Sequence, residues 1–333
     1  MILLKIFKND RMEGMAGLAV LTIALFLKSF IQEGSDPEGG SAIVAHTGMP
    51  LYKLIFGTIH TAPVLNRIVT IALLVLIGYI LIRLAVRYML LHFRSLMPAF
   101  FFILFSAVLP GTQQVSPALV GSVFFLLCFA VLYDVHDKPA DTFMVFTASL
   151  FLVLGCMFYL KLIWFFPLLL LSLWTIRTVT WREMIYPLIA FMLMTLFLIT
   201  WYWGIKDDIN GFTTLIRENL AFTGSFRVYH FSTYIYYGYF ILLIGFASLL
   251  MFKRFQTSKT MTQNIYQALF YMFLAGIVFF LLIARFDPTS LVFMAMPLSY
   301  ILTNFFHRKQ NHWMHEAGLW ILLGLLVFVQ LTV

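Results

Sequence analysis

The chain has 333 residues, 62% hydrophobic and 11% charged, with a mean hydropathy of +0.94, whereas soluble domains carry about 45–50% apolar and about 25% charged residues. This composition excludes a soluble fold, and because a crossing takes roughly 20 mostly apolar residues, it predicts one all-α integral membrane domain over residues 1–333. The formal charge of +8 would suggest a nucleic-acid partner in a soluble protein; in a membrane protein it reports sidedness first, so membrane lipids and no nucleic acid are the expected partners.

At the N-terminus Lys5, Lys8 and Arg11 precede an apolar stretch from Met15 to Leu27. No small-x-small cleavage site follows and Lys28 interrupts the run, so a retained first span with a cytoplasmic N-terminus is expected. Eleven apolar segments can be drawn: 15–31, 66–86, 95–110, 118–133, 142–160, 162–177, 186–204, 232–252, 267–284, 289–305 and 317–333. Several are short for a full span, and only Lys161 divides the fifth from the sixth.

An inside N-terminus leaves Lys28, Lys53, Arg67, Lys161, Lys206, Arg217, Arg227 and Arg285 outside and the other 14 of the 22 Lys and Arg inside. That split follows the positive-inside rule. Merging the two segments at Lys161 would reverse every later loop and turn the basic positions Arg177, Arg182, Lys253, Arg254 and Arg308 outward. The expectation is therefore a polytopic helix bundle of about 11 spans, N-terminus in and C-terminus out.

Two connections are long, 32–65 and 205–231, and both fall on the outer side. The first opens with the acidic, turn-rich stretch Glu33 to Gly40. It continues into Leu51, Leu54, Ile55, Ile59 and Ala62 at helical spacing, which predicts an amphipathic helix on the outer membrane surface. Pro63 ends that run. The two cysteines, Cys128 and Cys156, lie inside apolar segments and read as small buried hydrophobes. No internal repeat of 20–50 residues and no inverted repeat is visible.

Motifs for ATP, NAD or zinc chemistry (GxxxxGK, GxGxxG, HExxH, CxxC) are absent, so no cofactor and no metal is expected. His307, His312, His315 and Glu316 gather in one inner loop without a ligand signature and read as a basic loop facing headgroups. Candidate chemistry collects at the outer interface. Asp36 and Glu38 either form a solvated acidic turn or act as a base on an acceptor hydroxyl, the place where lipid-linked glycosyltransferases of the GT-C type carry a catalytic carboxylate. Arg285 and Asp287, in the turn between the ninth and tenth segments, either pair with each other or clamp a lipid phosphate through the guanidinium. Lys161 either snorkels or joins such a site. In the second outer loop Arg217 and His230, followed by Tyr234, Tyr236, Tyr237 and Tyr239, suit either an interfacial belt or a sugar or headgroup site. No carboxylate sits at the centre of a segment, which disfavours a proton-coupled pump.

The stretch from Asp141 to Pro187, with Trp164, Phe165, Phe166, Pro167, Trp181, Arg182, Glu183 and Tyr186, together with Pro297, Leu298 and Ser299, resembles an uncharacterised family of polytopic inner-membrane proteins of Bacteroidota. Members are sometimes labelled beta-carotene monooxygenases, and nothing in this sequence could build those four-histidine iron sites. The resemblance implies an inner-membrane, envelope setting in which the outer side is the periplasm. The leading expectation is an envelope-biogenesis protein of GT-C-like arrangement acting on a lipid-linked sugar or lipid, with Asp36 or Glu38 as base and Arg285 as phosphate clamp. The alternative is a non-catalytic component of a secretion or assembly complex that docks a protein partner through the outer loops. A transporter comes third.

Overall fold

The structure, a computed structural model, describes residues 7, 12–31, 49–59, 62–88, 90–91, 95–135, 143–176, 179–205, 209–220, 230–255, 260–307 and 312–332. Among them there is no strand. The helices are α1 (Met12–Ile31), α2 (Pro50–Phe56), α3 (Pro63–Arg87), α4 (Met97–Ser106), α5 (Pro117–Asp134), α6 (Phe143–Phe158), α7 (Phe166–Ile176), α8 (Trp181–Ile199), α9 (Ile209–Leu220), α10 (Phe231–Phe255), α11 (Thr260–Val278), α12 (Leu291–Phe306) and α13 (His312–Thr332). Eight stretches are long and apolar enough to cross a membrane: Glu13–Ile31, Pro63–Arg87, Pro117–Asp134, Trp181–Gly204, Phe231–Ser248, Gln263–Ile283, Pro288–Phe306 and His315–Thr332. Three shorter apolar helices, Met97–Ser106, Phe143–Phe158 and Leu160–Ile176, stand where the remaining three apolar segments were drawn. The chain is thus an all-helical membrane bundle.

One short helix, α4, lies where lipid does not reach. Ten residues of α4 rise about 15 Å, half of a typical hydrocarbon core. Every side chain from Met97 to Ser106 is buried, and α4 packs on α3 and α12. Backbone ends at membrane depth are tolerated when protein surrounds them. By contrast α8 is lipid-facing along much of its length, with Ile185, Leu188, Met192, Leu196 and Phe197 exposed. Trp181 and Trp203, both exposed, bracket it at a separation of about 30 Å for α-helical rise, the span between two interfacial aromatic belts.

Helices α5 and α6 make the most extensive contact of the bundle. Between helices in lipid there is little hydrophobic drive, so close backbone approach through small residues supplies the attraction. Gly121 and Gly155 face each other here, and a Cβ on Gly121 would come within 2.8 Å of Leu162 Cδ1 and 3.2 Å of Tyr159 Cβ. The buried Ala118, Ser122, Ala148 and Ser149 continue the seam, and Cys128 and Cys156 are free and buried in it.

Hydrogen bonds gather the helix ends into two groups. At one end Lys28 Nζ donates to Gln330 O (2.7 Å), Gln330 Nε2 to Val108 O (3.1 Å), Gln113 Nε2 to Leu25 O (3.1 Å), and Ser232 Oγ lies 2.6 Å from Thr332 Oγ1. At the other end Leu96 N donates to Phe7 O (3.1 Å), Asn304 Nδ2 to the Tyr266 hydroxyl (2.6 Å), and Tyr266 in turn to Leu90 O. A cavity of about 10 Å³ beside Pro297 in α12, lined by Tyr133 and Tyr300 among apolar side chains, has room for about one water molecule.

The helix expected between α1 and α3 differs in length from its expected form. A helix is present, but it ends at Phe56, where the Gly57 amide donates to Lys53 O. Its buried anchor is Tyr52, whose hydroxyl donates to Val115 O (2.8 Å), while Leu54 and Ile55 are exposed. One buried aromatic with a satisfied hydroxyl orients so short a helix and leaves Leu54 and Ile55 on the side turned away from the protein.

Candidate functional site

Helix α6 stops at Phe158 and Tyr159 turns extended (φ −139°, ψ 97°) before a 3-10 stretch, Leu160–Phe165, leads into α7. The reversal is tight because Leu162 fills the slot between Gly121 and Gly155. It carries Lys161 inward: the side chain is only 5% exposed. Among the described residues Lys161 forms no hydrogen bond and no ion pair. A buried ammonium without a partner is costly. Its field is shaped by two neighbours, Asp287, which favours the charge, and Arg285, which opposes it.

Those neighbours come from the turn after α11. The helix widens into a π turn, Phe279–Ile283, with the Ala284 amide bonded to Phe279 O at 2.8 Å. Arg285 and Phe286 then both adopt positive φ, 46° and 65°. Two consecutive non-glycine residues in the left-handed region are strained, by roughly 1–2 kcal/mol each. The turn is held by Phe286 N on Phe280 O (3.0 Å) and by the Phe286 ring against Phe280 (5.4 Å). Asp287 closes it as a cap: Oδ1 accepts from Thr289 N (3.1 Å) and Oδ2 from Thr289 Oγ1 (2.9 Å). Strain and a π turn recur where local geometry serves a task.

The surroundings are built from the 107–116 segment. Val115 N donates to Asn66 Oδ1 (2.8 Å), Gln113 Nε2 also holds Ala107 O (3.0 Å), and the 3-10 turn Pro110–Thr112 packs against Pro288–Ser290. This hub links α1, α2 and α3 to the Asp287 turn. From the other side α9 packs on the Leu160–Phe165 turn. Tyr159 is buried beside Phe279 and Phe293, its hydroxyl has no hydrogen-bond partner among the described residues, and it lies in the field of Asp287.

Of the residues singled out from sequence, Lys161, Arg285 and Asp287 are brought together. Arg217 is exposed on α9, one layer above the Lys161 turn. His230 is exposed at the start of α10, its carbonyl accepting from Thr233 N (2.9 Å), and no tie from it to Lys161 is seen among the described residues. Asp36 and Glu38 lie outside the described residues. Sequence reading passed over Tyr159, Asn66 and Tyr52; the nearby turn proline Pro63 was the available signal for Asn66. It also passed over helix α9, although Ile209, Phe212, Ile216 and Leu220 recur at helical spacing. At the opposite end it missed a charged tie, in which Arg87 Nη2 meets Asp134 Oδ1 at 2.9 Å and the Tyr88 hydroxyl donates to the same carboxylate.

This end of the bundle thus carries Lys161, Arg285, the Tyr159 hydroxyl and the Asp287 carboxylate, which accepts from Thr289. A family described as one of unknown function (DUF6427) matches residues 43–333. No curated protein and no solved structure matches the chain.

Proposed function

We propose, from the premise that the chain belongs to this family of unknown function (DUF6427), that it binds the phosphate of a lipid at the outer end of the bundle. The observation that carries the reading is Lys161, a side chain only 5% exposed whose ammonium lacks a hydrogen-bond partner among the described residues and shares its surroundings with Arg285 and Asp287. Desolvation of that ammonium is offset once an anionic oxygen reaches it.

In this reading all eleven apolar helices are crossings, the N-terminus is cytoplasmic and the C-terminus outside, and the Lys161 turn faces the periplasm of the inner membrane. The grouping of helix ends and the lysine and arginine bias support that arrangement. The bound lipid is a lipid-linked sugar or a related envelope lipid. A GT-C-like transferase would use Asp36 or Glu38 as base on an acceptor hydroxyl while Arg285 and Lys161 hold the phosphate.

The test is purification of the full chain in mild detergent followed by mass spectrometry of bound lipid, alongside envelope glycan and lipid profiles of strains carrying alanine at Asp36, Glu38 and Arg285. A phosphate-bearing lipid retained by wild type and lost from Lys161→Met is expected. A stoichiometric protein partner with no such lipid would favour the docking alternative, and unchanged profiles in every variant would remove the transferase role.

A further inference from the structure

Arg67 stands near the start of α3, next to Asn66, which accepts from Val115 N. Its guanidinium carbon lies 5.5 Å from the centroid of the Phe30 ring, in the last turn of α1. A ring face attracts the cation but offers no acceptor oxygen, so this contact leaves the N–H donors of the guanidinium unused. Nη1 is shielded from solvent without a hydrogen-bond partner, and Arg67 forms no ion pair among the described residues. The side chain as a whole is only partly buried, so another edge of the fork is open. Lys28, the basic residue in that last turn of α1, is engaged on Gln330 O.

We infer that Arg67 holds the phosphate of a membrane phospholipid where α3 meets α1. Withdrawing one N–H from water without giving it an acceptor leaves the charge poorly solvated, and an anionic oxygen on the open edge offsets that cost. The planar fork matches two oxygens of a tetrahedral phosphate. A lipid is the occupant, and not a free phosphate, because both helices are apolar on the approach to Arg67. Ile23, Leu27 and Ile31 on α1 and Val64, Ile68 and Val75 on α3 are exposed. Spacings of four and seven residues make each set one stripe along its helix. Ile31 adjoins Phe30 and Ile68 adjoins Arg67 in sequence, so acyl chains lying on these stripes would bring a headgroup to the guanidinium. This lipid is separate from the one proposed for the Lys161 turn, and its site uses none of that turn's residues.

The experiment uses the full chain carrying Lys161→Met, purified in maltoside detergent, so that the other proposed anion site does not contribute. Native mass spectrometry follows titration with dioleoyl phosphatidylglycerol, with dioleoylglycerol, which has the chains and no phosphate, and with glycerophosphoglycerol, which has the phosphate and no chains. Phosphatidylglycerol alone is expected to bind, and adding Arg67→Gln to weaken it about tenfold. Arg67→Lys, which keeps the charge and loses the fork, should weaken it less, and it keeps the result readable if Arg67→Gln does not fold. Equal binding of phosphatidylglycerol by the arginine, lysine and glutamine chains would overturn the site. Dioleoylglycerol bound as tightly would overturn the part given to the phosphate, and glycerophosphoglycerol bound as tightly would overturn the lipid as occupant. Binding that emerges only when Glu33→Gln, Asp36→Asn and Glu38→Gln are combined would also overturn it, because Arg67 would then belong to the chain's own acidic stretch. The same series with Lys161 intact, read at the second bound lipid, serves if Lys161→Met does not fold.

Discussion

Lys161 carries the function proposed for its end of the bundle: its side chain is only 5% exposed and has no hydrogen-bond partner among the described residues. Lys161→Met should keep the fold and lose the anionic lipid, which thermal melts and mass spectrometry of bound lipid check together. Arg285 makes a different prediction because its φ of 46° is one that glycine adopts freely. Arg285→Gly should relieve about 1 kcal/mol of backbone strain and lose the anionic lipid, which thermal melts and lipid mass spectrometry check together.

The fold's elements were legible unevenly. Each of the eleven apolar segments corresponds to a helix, and the division at Lys161 was readable because charge bias, more than hydropathy, marked it. The helix expected between Leu51 and Ala62 is shorter than its spacing suggested, ending at Phe56; Leu54 and Ile55 are exposed, and the contact with protein is Tyr52 on Val115 O. Spacing alone does not tell which face protein covers, because lipid and protein interior are equally apolar. Removing that hydroxyl with Tyr52→Phe should destabilise the bundle by about 1 kcal/mol, as measured by thermal unfolding in detergent. Nor does sequence reveal the π turn or the two left-handed residues around Arg285, since neither carries a glycine or proline signature. The α5–α6 seam yields a prediction of its own. Gly121→Val would push against Leu162 and Tyr159, the residues flanking Lys161, so it should weaken lipid binding more than it lowers the melting temperature. A loss of stability with unaltered binding would uncouple the seam from the site.

Over the whole molecule, the convergence of Lys161, Arg285 and Asp287 was only half foreseeable. Their common side follows from counting charges, but the contact depends on how α6, α7 and α11 pack, which hydropathy does not encode. The arrangement predicts a labelling pattern: single cysteines at Arg217, Arg285 and His230 should react with a membrane-impermeant maleimide from outside intact cells, and one at Lys253 should not. Reaction of Arg217 and Arg285 from opposite faces would dismantle the outer end as described.

Helix α4 also bears on how the chain is made. It is short, sheathed by protein, and leans on α12, which leaves the ribosome nearly two hundred residues later. During synthesis α4 has no completed seat, so the nascent chain must be shielded or parked until its last third arrives. Chains truncated before residue 291 should consequently be cleared by membrane proteases instead of accumulating as partial bundles.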